Sequence, residues 1–248
     1  MLKKSYLFVL CLFFALNAQS QKREKIDPAL TEDWSRKPVV MTGVPLKWEI
    51  PSDAIVLLGN NTSQWRTKDT TDINWTLENG ILTVKSVPGD NNIYTRMSFE
   101  DCHLHLEWRS PVIIKGTGQG RGNSGVFLQS RYEIQVLDNY NNETYFNGQA
   151  GSIYKQTPPL ANVCSKTGEW NTYDIIFRAP KFDHFGNKLE SGRITLIHNG
   201  IVVQNNTEIT GTTEYRGSPQ NNAHRGAPIM LQDHGDLVSY RNIWIRRL

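Results

Sequence analysis

The sequence predicts an all-β protein folded as a sandwich. From Ile55 onward, short apolar runs alternate with turn signals, a pattern typical of a chain that crosses packed sheets many times. Asn79-Gly80 and Asn199-Gly200 each separate two such runs, and Asn-Gly favours a two-residue hairpin turn. No long stretch has a sustained helical period, which argues against alternating strands and helices.

The first 20 residues have the pattern of a signal peptide. Two lysines precede an apolar stretch from Tyr6 to Leu16 that is too short to cross a bilayer, and small residues follow it. We therefore expect residues 1–20 to be removed, the protein to be periplasmic or secreted, and no transmembrane segment to remain. Residues 21–50 are polar and contain prolines, which predicts an extended N-terminal arm, and residues 51–248 are expected to form the β domain.

Charge and cysteine content narrow the function classes. The chain has 27 Lys and Arg against 24 Asp and Glu, and its net charge of +3 includes basic residues of the leader. This balance does not indicate binding to nucleic acid or to an anionic membrane. Cys102 and Cys164 follow the leader and could pair in an oxidising compartment, but they form neither a disulfide framework nor a metal-binding spacing.

Alternating patterns and turn signals predict the positions of the strands. The two hairpins would join 73–77 to 81–84 and 193–197 to 201–203. Further strands are expected at 103–109, 125–129, 132–137, 172–178, 228–232 and 241–247. Two segments rich in Asn, Gly, Thr and Pro, 139–169 and 205–226, are expected to be long loops, where binding residues often lie.

The strand that begins at Tyr132 carries the strongest indication of a binding site. Successive side chains of a strand point to opposite faces, so Tyr132, Ile134 and Val136 share one face. Glu133 and Gln135 share the other. An acid and an amide side by side suit the floor of a polar site, and we expect the ligand to be a sugar.

A second strand, 103–109, offers polar residues on one face. Leu104, Leu106 and Trp108 would point to the core, which leaves Glu107 and Arg109 on the outward face with two histidines. This face is either solvated or part of the site, if the strand lies beside the one that carries Glu133.

Other candidate residues lie near the ends of predicted strands. His234 is suited to exchange protons near neutral pH, and Gln232 would share its face. Asn123 would lie on the rim of the site. Trp170, beside a long loop, could stack on a sugar or pack in the core.

Several short motifs together resemble the 3-keto-disaccharide hydrolase domain family. They occur in the family's order over most of the chain after the leader. The motifs are Leu106-Glu107-Trp108-Arg109, Asn123-Ser124-Gly125-Val126, Tyr132-Glu133-Ile134-Gln135-Val136-Leu137-Asp138, Gly168-Glu169-Trp170-Asn171, His198-Asn199-Gly200, Leu231-Gln232-Asp233-His234-Gly235 and Arg241-Asn242-Ile243.

The resemblance implies a fold, a substrate class and a set of site residues. The fold would be a concanavalin A-like jelly-roll sandwich of two curved antiparallel sheets with a ligand groove. The substrate would be a 3-keto-glycoside, made by a partner sugar 3-oxidoreductase in the periplasm. The family's motif positions would place these residues around the groove: Glu107, Arg109, Asn123, Glu133, Gln135, Asp138 and His234.

The implied chemistry assigns possible roles to these residues. A ketone at C3 acidifies the C2 proton, so a base can form an enolate that expels the C1 oxygen, with or without addition of water afterwards. Glu133 or His234 could be the base, Arg109 could hold the enolate oxygen, and Glu107 could orient the substrate or act as the acid. The remaining candidates would bind substrate: Asn123, Gln135, Asp138, Trp170 and Gln232. A divalent metal is possible, although no spacing is diagnostic of one.

Two other functions remain open at this point. Laminarinase-type glucanases carry Glu-x-Asp-x-x-Glu on one strand, and here Glu133 and Asp138 occupy the outer positions of that frame with Gln135 between them. A retaining glycosidase needs two carboxyls about 5–5.5 Å apart. The third possibility is a non-catalytic carbohydrate-binding module, because the same fold serves lectins.

Overall fold

The structure is a computed structural model that describes residues 27–35, 37, 39–40, 50–85 and 87–248. The expected signal peptide, 1–20, lies outside the described residues, as does most of the arm expected at 21–50. Short 3-10 helices span Pro28–Thr31, Gly118–Gly120 and Phe146–Gly148. Among the described residues, no helix has the length and apolar character needed to cross a membrane.

Strands account for nearly all of the regular secondary structure, and most of them are short. In chain order they are β1 Val39–Val40, β2 Ile55–Leu58, β3 Trp65–Arg66, β4 Thr76–Glu78, β5 Ile81–Thr83, β6 Ile93–Phe99, β7 Cys102–Arg109, β8 Ser124–Leu128, β9 Tyr132–Val136, β10 Ala161–Asn162, β11 Asn171–Arg178, β12 Lys181–Phe182, β13 Lys188–Glu190, β14 Arg193–His198, β15 Ile201–Glu208, β16 Ala227–Leu231 and β17 Ser239–Arg247.

Two antiparallel sheets form the body of the fold. The smaller sheet has five strands in the order β3–β6–β16–β8–β9. The larger sheet has eight, in the order β15–β14–β11–β7–β17–β5–β4, with β2 also paired to β17. Two-stranded ribbons, β1–β10 and β12–β13, lie outside both sheets. This architecture confirms the predicted all-β fold, a concanavalin A-like jelly-roll sandwich.

Both predicted Asn-Gly hairpins form. Asn79 and Gly80 have φ of 51° and 75°, and Asn199 and Gly200 have φ of 51° and 82°. Positive φ at both central residues is what a type I′ turn requires, and Asn and Gly tolerate it best. The turns therefore fix the registers of β4 with β5 and of β14 with β15.

A strand overlaps each predicted segment, although β4 begins at Thr76 and leaves residues 73–75 outside it, and one long strand was missed. β6 lies inside the smaller sheet between β3 and β16. Its inward face includes Thr95, which is fully buried, and this interrupts the apolar alternation that identifies a strand. The Thr95 hydroxyl is satisfied because it donates to the Met97 carbonyl at 2.7 Å and accepts from the Ile229 amide at 3.0 Å.

The core lies between the two sheets. Leu104, Leu106 and Trp108 of β7 and Ile134 and Val136 of β9 are all fully buried, as their alternation predicts. These inward faces contact each other across the sandwich as one apolar cluster. Glu133 and Gln135 therefore point away from the core, on the outer face of the smaller sheet.

The described part of the N-terminal arm packs against the loop between β9 and β10. The Trp34 ring lies 6.5 Å from the Tyr145 ring and 5.7 Å from the Phe146 ring. Asn147 accepts a hydrogen bond from the Asp33 amide at 3.0 Å and donates to the Thr31 carbonyl at 2.9 Å. These contacts hold that loop, which forms one wall of the cavity described below.

Both cysteines of the domain are free thiols, so the pairing that the sequence left open does not form. Cys102 is buried in β7, and Cys164 lies after β10. Burial raises the pKa of each thiol to about 12, which keeps both protonated.

Candidate active site

A cavity of about 220 Å³ lies on the outer face of the smaller sheet. This volume can hold about one sugar ring. Five of the side chains predicted as site residues meet there: Asn123, Glu133, Gln135, Gln232 and His234. Four further residues complete the lining: Phe127, Tyr154, Thr213 and Tyr215.

Glu133 is the buried acid of this cavity. It lies opposite Phe127 in the register of β8 and β9, and only 5% of its surface is exposed. Within the described part of the chain, no hydrogen-bond donor reaches its carboxyl group. Burial therefore raises the pKa of Glu133 to about 8, because the charged form loses its hydration without gaining a partner.

A chain of amides fixes the orientation of Gln135. Gln119 Nε2 donates to the Gly148 carbonyl at 2.7 Å, and a carbonyl can only accept. Gln119 Oε1 must then be the atom that accepts from Gln135 Nε2, at 2.8 Å. Gln135 Oε1 is left buried without a partner, so the cavity presents a hydrogen-bond acceptor in need of a donor.

One side of the cavity is lined by Gln232 and His234, which follow β16, and by Asn123, which precedes β8. The Gln232 backbone amide donates to the Gly125 carbonyl at 3.0 Å, and Gln232 Oε1 is a second buried acceptor without a partner. The Asn123 backbone amide donates to Asp236 Oδ2 at 2.8 Å, which fixes Asn123 immediately before β8. His234 is exposed at the mouth of the cavity.

Tyr154, Thr213 and Tyr215 are site residues that were missed in the sequence. They lie in the two segments predicted as long loops, which carry no periodic pattern that would single out a residue. Thr213 Oγ1 accepts from the Glu133 amide at 2.9 Å, and the Tyr154 amide donates to the Glu133 carbonyl at 3.1 Å. Both loops are thus attached to the strand residue that carries the acid.

Glu107 and Arg109 do not join this cavity, so the expectation that their strand lies beside Glu133 was wrong. β7 lies between β11 and β17 in the larger sheet, and its outward face is on the other side of the sandwich. Glu107 accepts from Arg241 Nε at 2.6 Å and from Asn242 Nδ2 at 3.1 Å. The Arg109 guanidinium lies 4.7 Å from the centre of the Trp170 ring.

Trp170 and Asp138 also lie away from the cavity. Trp170 is covered by the guanidinium groups of Arg241, at 4.0 Å, and Arg109, so it lies on the outer face of the larger sheet. Asp138, 2% exposed, accepts from Arg121 Nε at 2.9 Å. Because β9 ends at Val136 and Asp138 is held in this ion pair, the laminarinase-type frame of two carboxyls does not form.

The described residues contain no group of three or more His, Cys, Asp or Glu side chains that could hold a metal ion. In the sequence, His103, His105 and His234 leave a metal site possible. His103 and His105 lie apart from the cavity. They contact Asp174 Oδ1 at 3.3 and 2.8 Å on the outer face of the larger sheet. In the cavity, Glu133 and His234 are the side chains with ligating character, and two ligands do not define a site.

The fold and the cavity define a jelly-roll protein with a small polar pocket built around one buried carboxyl. Residues 53–246 match the family model described as the 3-keto-alpha-glucoside-1,2-lyase-like domain, and the chain belongs to this family. The resemblance inferred from the motifs is thereby confirmed.

Relatives of known sequence or structure agree with this assignment. The chain is 24% identical to a Bacteroides thetaiotaomicron protein named 3-keto-disaccharide hydrolase, over the full length of both. It is 47% identical to a crystal structure from Parabacteroides distasonis described as a proposed glycosyl hydrolase, with a TM-score of 0.78 over 86% of this chain and 94% of that one. A second Parabacteroides distasonis structure, described in the same way, is 24% identical with a TM-score of 0.55 over 79% of this chain and 99% of that one, and shows the same fold.

Proposed function

We propose that this protein is an enzyme that cleaves 3-keto-glycosides by removing the C2 proton and expelling the C1 substituent. The observation that carries this proposal is the carboxyl of Glu133. It is the one carboxyl among the described residues that line the cavity, and burial raises its pKa to about 8. A carboxylate of raised basicity suits proton abstraction from carbon better than it suits ordinary glycoside hydrolysis, which needs two carboxyls.

The proposed reaction has three steps. Glu133 takes the C2 proton, and the electron pair moves to the C3 oxygen as an enolate. The enolate then collapses: the C1–O bond breaks, a C1–C2 double bond forms, and the departing oxygen takes a proton, for which His234 at the cavity mouth is the available donor. Addition of water to the C1–C2 double bond would complete net hydrolysis. Elimination followed by addition accounts for both lyase and hydrolase in the names of the family and of the Bacteroides relative.

The unpaired amide oxygens support a polyhydroxylated ligand. Gln135 Oε1 and Gln232 Oε1 are buried acceptors without donors. Sugar hydroxyls are donors, so a bound sugar would remove the cost of leaving these oxygens unsatisfied. Asn123, fixed beside them, would add a third polar contact.

The proposal also places the protein in a sequence of reactions. A 3-keto sugar must be made by an enzyme that oxidises the C3 hydroxyl, so a sugar 3-oxidoreductase is the expected upstream partner. The leader pattern at residues 1–20 supports a periplasmic or secreted location for this protein, and the proposal assigns the oxidoreductase to the same compartment.

The test is release of a chromogenic aglycone from a 3-keto-glucoside beside the unoxidised glucoside. The proposal predicts release from the keto sugar alone, and a loss of at least about 10²-fold in Glu133→Gln, which keeps the size of the side chain but removes the base. Release from the unoxidised glucoside would instead indicate a glycosidase. Binding of the keto sugar without release would indicate a carbohydrate-binding module.

A further inference from the structure

Tyr154 is the lateral neighbour of Glu133. Ile153 pairs with Ile134 in an isolated antiparallel bridge, and both side chains are fully buried in the core. The adjacent residues Tyr154 and Glu133 therefore point to the opposite, outer face, and their backbones are joined by the 3.1 Å hydrogen bond from the Tyr154 amide to the Glu133 carbonyl. Facing residues of antiparallel strands have Cβ atoms about 4.5–5.5 Å apart, so the phenol lies beside the acid.

A second tyrosine determines where the Tyr154 proton points. The hydroxyls of Tyr145 and Tyr154 are 2.6 Å apart. Tyr145 does not line the cavity, is 6% exposed, and has Tyr154 as the one hydrogen-bond partner of its hydroxyl among the described residues. If Tyr154 donated, the Tyr145 proton would be buried without an acceptor, which costs about 1–3 kcal/mol. Tyr145 is therefore the donor, and the Tyr154 O–H is free for a ligand.

The surroundings hold this pair in place. A Cβ built on Gly148 would lie 2.1 Å from the Tyr145 ring, so glycine at that position lets the ring pack against the backbone. The Lys155 ammonium lies 5.3 Å from the centre of the Tyr145 ring and 4.9 Å from that of Tyr215. Burial raises the pKa of Tyr154 to about 12, so its hydroxyl keeps its proton at physiological pH.

We propose that the Tyr154 hydroxyl donates a hydrogen bond to the C3 oxygen of the substrate and stabilises the enolate formed when Glu133 removes the C2 proton. Tyr145 acts as a positioning residue that directs the Tyr154 proton into the cavity. This inference rests on the proposed function. The C3 oxygen is the better target than the leaving oxygen, because Tyr154 is buried beside the base whereas the leaving group must depart through the mouth, where His234 is exposed. A fixed neutral donor facing a developing oxyanion is an effective form of catalysis.

The experiment separates enolate formation from bond cleavage with two substrates. One is the chromogenic 3-keto-glucoside. The other is a carbocyclic 3-keto analogue with only hydrogen at the C1 position, which can form the enolate but has no group to expel. For wild type and variants we would measure exchange of the C2 hydrogen in D2O by NMR with the analogue, and aglycone release with the glucoside.

Tyr154→Phe should lower both rates by the same factor, about 10²-fold. Tyr145→Phe should lower kcat about tenfold with little change in KM. This substitution removes the hydrogen bond that orients the Tyr154 hydroxyl but leaves that hydroxyl in place as a donor. Tyr140→Phe removes a phenol hydroxyl outside the cavity and should change neither rate.

Two results would overturn the inference. If Tyr154→Phe slows cleavage but leaves C2 exchange unchanged, Tyr154 protonates the leaving group instead. If Tyr154→Phe affects neither rate, the hydroxyl has no role. A wild-type protein that catalyses neither exchange nor cleavage would overturn the proposed function itself, and this inference with it.

Discussion

The Glu133 carboxyl reaches diagonally across to Gly125 on the neighbouring strand, where Gly125 itself pairs with Gln135: a Cβ built on Gly125 would stand 2.6 Å from Glu133 Oε1 and 2.7 Å from the Phe127 ring. Real Cβ atoms do not approach other atoms so closely. Glycine is needed at position 125 because the Glu133 carboxyl occupies the space that any other side chain would need. The position of the carboxyl therefore depends on the lack of a side chain at Gly125.

Gly125→Ala should impair activity without unfolding the protein. The added methyl would move the Glu133 carboxyl, and misplacement of a reacting group by about 1 Å can cost about 10²-fold in rate. The measurement is kcat on the 3-keto-glucoside, with thermal unfolding as the check on folding. Gly120→Ala is the matched control, since nothing lies within 4 Å of a Cβ there, and an equal loss in that variant would contradict the explanation.

The rate should depend on pH through the ionisation of Glu133. A base must be deprotonated to act, and the pKa of Glu133 is raised to about 8. We expect kcat/KM to rise with pH up to about 8 and to level off above it. A profile that is already flat from pH 6 upward would show that another group is the base.

Folding stability should fall over the same range. The ordinary pKa of Glu is 4.5 and that of Glu133 in the folded state is about 8, so between these values the folded state holds more protons than the unfolded state. The contribution of Glu133 to the free energy of unfolding then decreases with rising pH, by up to about 1.4 kcal/mol per unit. Urea unfolding at pH 6 and pH 9 would measure this. Glu133→Gln should lose less stability over that interval than wild type, and equal losses would contradict the assignment.

Asp138 should matter for stability rather than for substrate binding. Its ion pair with Arg121 is buried, and Asp138 Oδ2 also accepts from Thr167 Oγ1 at 2.8 Å. Asp138→Ala would leave the guanidinium without its partner and should cost about 3–5 kcal/mol of folding free energy. Asp53→Ala, which breaks an exposed pair with Arg246, should leave Tm nearly unchanged. A raised KM with normal stability in Asp138→Ala would instead show that Asp138 binds substrate.

Glu107→Gln should leave catalysis unchanged. Glu107 faces away from the cavity and is held by Arg241 and Asn242. We expect kcat/KM on the 3-keto-glucoside within about twofold of wild type, which is the range of an ordinary surface substitution. A loss comparable with that of Glu133→Gln would contradict the placement of β7.

The parts of the fold that local chemistry determines could be predicted from the sequence. The alternation of Glu133 and Gln135 with Ile134 and Val136 depends only on the period of a strand, and it identified both the core face and the site face. The Asn-Gly hairpins depend on two residues that accept positive φ.

The errors concern relations between distant segments. Alternation correctly showed that Glu107 and Arg109 point outward, but it does not show which sheet a strand joins. β7 pairs with β11 and β17, and only the assembled sandwich reveals that its outward face is on the far side from Glu133. Asp138 was assigned to the site because the family's motif positions implied it, whereas in the structure it forms an ion pair with Arg121 of the loop before β8.

Tyr154, Thr213 and Tyr215 could not be selected from the sequence for a different reason. They lie in long loops, where side-chain direction follows no period. Hydrogen bonds to the Glu133 backbone help to hold two of them, Tyr154 and Thr213, at the cavity. Each of the two predicted loop segments contributes to the lining of the cavity.

The central claim is that Glu133 removes the C2 proton, and the kinetic isotope effect of a C2-deuterated 3-keto-glucoside tests it most directly. We predict a primary isotope effect on kcat/KM in the wild-type enzyme, and loss of cleavage in Glu133→Gln. Cleavage by wild type with no isotope effect, together with a Glu133→Gln variant that keeps its activity, would contradict the claim.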